Sequence, residues 1–402
     1  MPITATMTGS WYRTDEIFEL LKRSPTGELD ATTHATEIEA AERRAITDQL
    51  EAGLHQVSNG EQRKNGYTGY LPHRFNGFSK TERSPIDVAP DVLEEMSETN
   101  PTLIKIFESG GKLPLTMRLM ARFAPKQQRR QMEAMQQVMG LPVVESPLEY
   151  TGAEKAKQEA SQAAQLAKEL GAPSIFIPSP SPGVTTLFYT AKKTAYRDHD
   201  EFLFGAAKEL AKEYKAILRE GVDLQIDAPD LEMGYHLAGG WGPDYEDENF
   251  YQGIKTHIEA TNEAIEGLPT DRIRLHACYG NYAGPHIYDA DFSRILPTLL
   301  DANAGTLVLE GANPRHEGDL IAIKNHVKEH GAPPQRIAWG VIDVKTPIVE
   351  TPETVAMRLQ LLADAGIDPD NITAGTDCGF ETFMGFGNVS HRVAKEKLRS
   401  AA

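Results

Sequence analysis

Residues 272–281 read Arg-Ile-Arg-Leu-His-Ala-Cys-Tyr-Gly-Asn, a short stretch with apolar side chains at alternate positions that ends in reactive side chains. A run of this length and composition is typical of a buried strand. His276 and Cys278 lie two positions apart at its end, so on an extended strand their side chains point the same way. One imidazole and one thiolate can then reach a single ion, and zinc prefers this mixture of nitrogen and sulfur ligands.

Similar runs recur along the chain and alternate with helical stretches. The strand candidates are residues 3–7, 55–58, 174–177, 223–226, 272–277, 306–309, 336–339 and 371–374, with 142–145 as a weaker ninth. The helical stretches include residues 153–170, 201–220, 250–266 and 352–365. Repeated strand–helix order indicates a parallel sheet with helices outside, and about eight such units favour an α/β fold of the (β/α)8 TIM-barrel type. With no linker or internal repeat in view, we expect residues 1–402 to form one barrel domain.

The segment from about residue 84 to residue 139 departs from this alternation. It is rich in Met, Glu, Arg and Gln and contains no strong strand pattern. We predict a helical insertion that decorates the barrel, with a lid or a contact within a homo-oligomer as the alternatives.

The composition excludes several classes of partner. The chain carries 58 acidic and 41 basic side chains, a net charge of −17, which argues against nucleic acid and anionic membranes as main partners. No stretch approaches the roughly 18–20 apolar residues of a membrane span, and residues 1–6 lack the pattern of a signal peptide. Two distant cysteines are not a disulfide framework, so a cytoplasmic location is expected.

Polar side chains follow the predicted strands at the point where each strand ends. In a barrel, these positions share the C-terminal rim, where barrel active sites are built. They include Ser10, Glu61, Asp227, His276, Cys278, Glu310, Asp343 and Cys378. We therefore predict a metal site formed by His276, Cys278, Glu310 and Cys378.

Other interpretations of these residues remain open. The alternative for both cysteines is that of small, inert, buried side chains, which is a common role for a free cysteine. An alternative interpretation of Glu310 is that it forms an ion pair with Arg315. An alternative for Asp227 is that it caps the turn that follows it. His286 and His316 are interpreted as loop histidines rather than ligands.

The motifs around these residues resemble a known enzyme family. His276-Ala277-Cys278, Glu310 and the segment 377–379 are similar to the zinc site in the catalytic domain of cobalamin-independent methionine synthase. Residues 278–286, 311–316 and 340–343 resemble the stand-alone branch that includes epoxyalkane:coenzyme M transferase. Supporting matches run from residue 8 to residue 378, so the resemblance covers nearly the whole chain apart from the predicted helical insertion.

The resemblance implies a barrel whose Zn²⁺ cofactor binds a substrate thiol as thiolate and presents it to an alkyl donor. Glu310 would hold the fourth zinc position until the thiol replaces it. Glu61 and Asp227 match residues that hold the amino group of homocysteine, and Ser10 lies where the carboxylate of that amino acid is bound.

The chain departs from the methionine synthase pattern in two respects. From its 402 residues we expect no room for the N-terminal half that helps bind the folate donor in that family. Lys345, two positions after Asp343, replaces a histidine that takes part in protonating the folate leaving group, and an ordinary lysine is a poor proton shuttle. Asp343 and Lys345 are nevertheless the candidates for a catalytic role next to the zinc.

Three functions follow as hypotheses. The favoured one is zinc-dependent methyl transfer from an alkyl donor to homocysteine, which gives methionine. The second is addition of a small-molecule thiol such as coenzyme M to an epoxide, for which Arg13, Arg63 and Lys64 are the candidate sulfonate ligands. The third is a barrel that is not catalytic or in which the zinc is only structural.

Overall fold

The computed structural model describes residues 3–24, 26–84, 88–99, 130, 140–237 and 247–402. The strands among them are β1 (Thr4–Ala5), β2 (Gln56–Ser58), β3 (Phe75–Ser84), β4 (Leu141–Tyr150), β5 (Ser174–Pro180), β6 (Asp223–Asp227), β7 (Ile273–His276), β8 (Thr306–Leu309), β9 (Arg336–Ile342) and β10 (Ile372–Thr376). The helices are α1 (Asp15–Leu21), α2 (Ala35–Glu51), α3 (Leu71–Arg74), α4 (Pro90–Thr99), α5 (Ala153–Leu170), α6 (Pro182–Phe188), α7 (His199–Arg219), α8 (Asp247–Ala264), α9 (Phe292–Leu300), α10 (Leu320–His330), α11 (Pro352–Asp364) and α12 (His391–Ala401).

Eight of these strands form one parallel sheet in the order β1-β10-β9-β8-β7-β6-β5-β2. The two ends of the sheet meet, because Thr6 pairs with Gln56 in a parallel bridge and the Thr6 hydroxyl donates to the Gln56 carbonyl over 3.0 Å. Helices separate successive strands from β5 to β10, which is the connection that parallel neighbours require. The predicted (β/α)8 barrel is therefore confirmed.

The helices outside the barrel are amphipathic. In α5, Ala156, Ala160 and Ala163 are buried at helical spacing, and the helix ends at Gly171, whose φ of 74° provides a left-handed cap. In α7, the Asp198 side chain caps the first turn by accepting from the Glu201 amide. No helix in the described part of the chain is long and apolar enough to cross a membrane.

A two-stranded antiparallel sheet, β3 and β4, stands beside the barrel. The weak ninth strand candidate at residues 142–145 lies in β4, outside the barrel sheet, and β3 was not predicted. Strand β3 has a mostly exposed, polar pattern, so pairing with β4 rather than burial defines it. Of the predicted helical insertion, α4 is described, and most of residues 100–139 lie outside the described residues.

Candidate active site

Three soft ligand candidates meet at the C-terminal mouth of the barrel. His276 is the last residue of β7, Cys278 follows it, and Cys378 lies two residues after β10. All three side chains are buried, and one ligand atom from each lies within 4.8 Å of the others. Strands β7 and β10 are separated by β8 and β9 in the sheet, but their ends face the same barrel mouth, which brings Cys278 and Cys378 together although they are 100 residues apart in sequence.

His276 is held in the orientation of a metal ligand. Its Nδ1 lies 3.0 Å from Asp227 Oδ1, which also accepts from Gln225 Nε2 over 2.8 Å. Its Nε2 is buried and has no hydrogen-bond partner of normal geometry among the described residues. Ligating histidines commonly donate the other ring nitrogen to a carboxylate, so the residues present fit a metal ion here.

Hydrogen bonds couple the two thiols and the imidazole to one another. A hydrogen bond from Cys378 lowers the pKa of the Cys278 thiol, and the same hydrogen bond raises the pKa of Cys378. Burial alone would lower the pKa of His276, but the charge of Cys278 and the hydrogen bond to Asp227 outweigh burial and raise it to about 10. These surroundings favour the thiolate form of Cys278, and the thiolate is the form that binds metals.

Glu310 follows β8 and borders the three ligand candidates. Its Oε1 accepts from the Cys378 thiol over 3.5 Å and from the Tyr279 amide over 3.1 Å, and Lys345 Nζ donates to Oε2 over 2.6 Å. Burial raises the pKa of Glu310, but the Lys345 ammonium outweighs that and holds the pKa below its usual value. The alternative pairing of Glu310 with Arg315 is wrong, since the partner of the carboxylate is Lys345.

Glu61 lies in a strained loop after β2. Its φ of 55° is in the left-handed region that non-glycine residues rarely adopt, and functional sites are where such strain is commonly kept. Buried ion pairs on the same loop hold this conformation: Arg63 donates to both oxygens of Glu42, and Lys64 Nζ lies 3.1 Å from Glu159.

The Glu61 carboxylate itself lacks a full set of partners. Its Oε2 is buried without a hydrogen-bond partner among the described residues, and the nearest cation is Arg13 at 3.9 Å. Burial and the nearby charge of Asp227 raise the pKa of Glu61 to about 8. Such a carboxylate is stabilised when a cationic group of a ligand binds beside it.

A cavity of about 220 Å³ connects these groups. A single water needs only about 10–15 Å³, so the space suits a small organic molecule. Its polar lining includes Ser10, Glu61, Asp227, His276, Cys278 and Cys378, and its apolar lining includes Tyr67, Val88, Val92, Phe188, Met233, Leu237 and Phe383. The structure thus brings the predicted substrate-binding residues and three of the four predicted metal ligands to one cavity.

The remaining predicted residues have clear positions. Ser10 packs against Gly379, where a Cβ atom would lie 1.9 Å from the serine hydroxyl. Asp343 follows β9, and its Oδ1 accepts from the Lys345 amide over 2.8 Å. The sequence therefore anticipated the neighbourhood of Asp343 and Lys345, while their catalytic roles stay a prediction.

The three cations considered for a sulfonate are used elsewhere. Arg63 and Lys64 belong to the buried ion pairs described above. Arg13 donates to the Glu381 side chain and carbonyl. None of the three is among the cavity-lining residues of the described part of the chain.

Sequence reasoning missed a second polar cluster beside this cavity. His286 and His316, interpreted as loop histidines, are both buried and converge on Asp289. His236, which was not singled out, lines the cavity and approaches the same carboxylate. The sequence did contain a signal for this cluster, because His236, His286 and His316 each lie in the loop that follows a predicted barrel strand.

Solved structures place the chain among barrels of one type. A B12-independent methionine synthase from Shewanella sp. W3-18-1, in complex with selenomethionine, superposes with a TM-score of 0.64 at 20% identity, over 99% of this chain and 95% of that one. A putative vitamin-B12 independent methionine synthase from Listeria monocytogenes gives 0.62 at 17% identity, over 99% and 96%. The fold is thus that of B12-independent methionine synthase barrels.

Sequence comparison identifies particular relatives. A methionine synthase of Thermococcus kodakarensis is 29% identical over 204 residues, 50% of this chain and 48% of that protein. A 2-hydroxypropyl-CoM lyase of Xanthobacter autotrophicus is 28% identical over 244 residues, 54% of this chain and 57% of that protein. The chain spans about half the length of these curated relatives, and no family model matches it. The resemblance inferred from the motifs is confirmed by both relatives.

Proposed function

We propose that this chain is a zinc-dependent S-alkyltransferase that methylates homocysteine to methionine. One observation carries the proposal: two thiols and an imidazole converge on a cavity that also presents the carboxylates of Glu61 and Asp227. A metal site alone would suit many reactions. The acidic pair beside it selects a thiol substrate that also bears an ammonium group.

His276, Cys278 and Cys378 are the residues that would hold the zinc. Zinc supplies Lewis acidity that keeps a thiol deprotonated at neutral pH, while two protein thiolates preserve the nucleophilicity of the sulfur. Glu310 is the proposed fourth ligand of the resting site. Lys345 offers this carboxylate a charged partner at 2.6 Å, so Glu310 stays neutralised when the substrate takes that position.

The acceptor would be oriented by Glu61 and Asp227. The unpartnered Oε2 of Glu61 offers an acceptor for an ammonium group, and a hydrogen bond to a charged group contributes about 1.5–3 kcal/mol. In the reaction, the thiol loses its proton and the sulfur electron pair forms the new S–C bond. The bond between the methyl carbon and the donor breaks, and its electron pair leaves with the donor, which takes up a proton.

The relatives support the same assignment. The name methionine synthase recurs among both the curated relatives and the solved structures, and the Shewanella protein is in complex with selenomethionine. Selenomethionine is the selenium analogue of the product proposed here.

Addition of coenzyme M to an epoxide is the second candidate, because the Xanthobacter relative is a 2-hydroxypropyl-CoM lyase. The sulfonate of coenzyme M needs a cationic subsite. Arg13, Arg63 and Lys64 are engaged by protein carboxylates instead, whereas the cavity presents acidic groups. The charge of the cavity therefore favours the amino acid acceptor.

Zinc content and zinc-edge X-ray absorption, with homocysteine and then with coenzyme M, test the proposal. We expect one zinc at the thiol site and, with homocysteine, a gain of one sulfur neighbour and loss of an oxygen or nitrogen. If zinc gains a sulfur neighbour with coenzyme M and not with homocysteine, the second candidate is established. If neither thiol changes the neighbours of zinc, thiol activation is contradicted.

A matched pair of variants locates the metal. His276→Asn should lose the zinc, whereas His330→Asn, at a histidine 63% exposed on α10, should retain it. Removal of zinc should leave the barrel folded, because eight paired strands and their helices form its core. Unfolding on zinc removal would instead indicate a structural zinc.

A further inference from the structure

Three imidazoles surround the carboxylate of Asp289, and we call these four residues the Asp289 cluster. His286 Nδ1 lies 3.1 Å from the carboxylate, His316 Nε2 lies 2.7 Å from Oδ2, and His236 Nε2 lies 3.0 Å from Oδ1. The four side chains are between 1% and 4% exposed. One ligand atom each from His286, Asp289 and His316 lies within 4.8 Å of the other two.

The outward-facing nitrogens of two of these rings are anchored. His286 Nε2 lies 3.0 Å from the Tyr282 carbonyl, and His316 Nδ1 lies 3.1 Å from Asp319 Oδ2. The inward nitrogens face the Asp289 carboxylate, so an ion would have to displace the proton there, and the acceptor on the far nitrogen would keep the remaining N–H in place. This arrangement of a carbonyl or carboxylate behind the ring recurs behind metal-ligating histidines.

His236 contributes a third ring to the cluster. Its Nε2 is buried and lies 3.0 Å from Asp289 Oδ1, but the ring N–H is not directed well enough for a hydrogen bond of normal geometry. A buried polar atom that is poorly hydrogen-bonded is costly, and an ion held beside the carboxylate would satisfy this nitrogen. This nitrogen lies beside the same carboxylate that the other two rings face.

We propose that His286, Asp289 and His316 form a second metal site, with His236 as the additional ligand on the cavity side, for a divalent first-row transition ion. Imidazole and carboxylate donors without sulfur suit zinc, iron, cobalt or nickel, in contrast to the thiolate-rich site at Cys278 and Cys378. The inference does not depend on the proposed function, since none of these four residues is a candidate metal ligand of the thiol site, although His236 lines the same cavity.

The position of the cluster gives this ion a structural consequence. His236 follows β6, His286 and Asp289 follow β7, and His316 follows β8, so one ion would join three loops of the barrel mouth. The same loops hold the start of α4, because the Ala89 amide donates to the His236 carbonyl and the Ile287 amide donates to Glu95. Val88 and Val92 of that segment line the substrate cavity. The ion would therefore brace one wall of the cavity.

Metal content of the purified full chain, measured by mass spectrometry, tests the site. We expect two ions per chain in the wild type, one in Asp289→Asn, one in a Cys278→Ser/Cys378→Ser variant, and two in the exposed-histidine control His330→Asn. One ion per chain in the wild type, retained in Asp289→Asn, would overturn the proposal.

Cobalt reconstitution distinguishes this proposal from the proposed function. With Co²⁺ alone, sulfur-to-metal charge-transfer absorption reports the thiol site, and weak ligand-field bands report both sites. The Cys278→Ser/Cys378→Ser variant should lose the charge-transfer bands and still bind one Co²⁺ in equilibrium dialysis. Failure of this variant to bind Co²⁺ would overturn the second site, whatever the fate of the thiol site.

A milder substitution keeps the test valid if Asp289→Asn fails to fold. His286→Gln preserves much of the side-chain volume and removes one proposed ligand. We expect Co²⁺ affinity at the second site to fall by at least tenfold while the charge-transfer bands persist. Unchanged affinity would contradict the role of His286 as a ligand.

Discussion

Replacing Lys345 by methionine removes the charged partner of Glu310 and keeps most of the side-chain volume. The two groups are 2.6 Å apart, and their side chains are 3% and 0% exposed. At an effective dielectric constant of about 20, their Coulomb attraction is about 6 kcal/mol, before the cost of removing both charges from water. Because Lys345→Met leaves the desolvated Glu310 carboxylate without its ion-pair partner, we expect a loss of about 3–5 kcal/mol in the free energy of unfolding.

Denaturant unfolding of the metal-free protein, followed by the fluorescence of buried Trp11 and Trp339, measures this loss. The double variant Lys345→Met/Glu310→Gln completes a mutant cycle and should be more stable than Lys345→Met alone, because no unpaired charge remains buried.

Lys192→Met is the matched control for burial. Its ion pair with Glu82 is just as short, at 2.5 Å, but the side chains are 38% and 52% exposed, so little change is expected. A loss below about 1 kcal/mol for Lys345→Met, or no coupling to Glu310, would refute the reasoning.

Three further predictions concern the metal, the acceptor and stability. Asp227→Asn should weaken zinc binding by about 10–100-fold in a chelator competition, because Asp227 fixes the ring of His276; an unchanged affinity would contradict that role. Glu61→Gln should raise the KM for homocysteine by about tenfold or more, since a charge-assisted hydrogen bond is lost. Turnover of a thiol without an amino group should be unchanged. Equal effects on both thiols would contradict the binding of the substrate ammonium group by Glu61. Burial and the neighbouring His257 lower the pKa of His199 from 6.5 to about 4, so the unfolded chain binds the extra proton and stability should fall as the pH drops from 6.5 towards 4. His199→Gln should remove that part of the pH dependence, and denaturant unfolding at several pH values would show an unaltered slope if the reasoning is wrong.

Much of the barrel was predictable because strand and helix patterns are local. The stretch at residues 272–277 predicts β7 from its alternating apolar side chains, and short runs elsewhere predict the other barrel strands within a few residues. Once the strands are known, the rule that parallel strands share one C-terminal rim brings His276, Cys278 and Cys378 together. The thiol site could therefore be anticipated without coordinates.

The hairpin of β3 and β4 could not be anticipated in the same way. Strand β3 lacks a continuous apolar pattern, and its residues become a strand because β4 supplies hydrogen-bond partners more than 50 residues away. Pairing of this kind depends on the approach of two segments and leaves a weak local signal.

The partners of the charged groups were decided by the tertiary structure alone. Lys345 pairs with Glu310 from 35 residues away, and His316 reaches Asp289 from 27 residues away across adjacent loops. A sequence pattern reports the face on which a side chain lies, because the periods of strands and helices are two and 3.6 residues. It does not report the distance between side chains on different loops, since that distance depends on how the closed barrel sets the loops relative to one another.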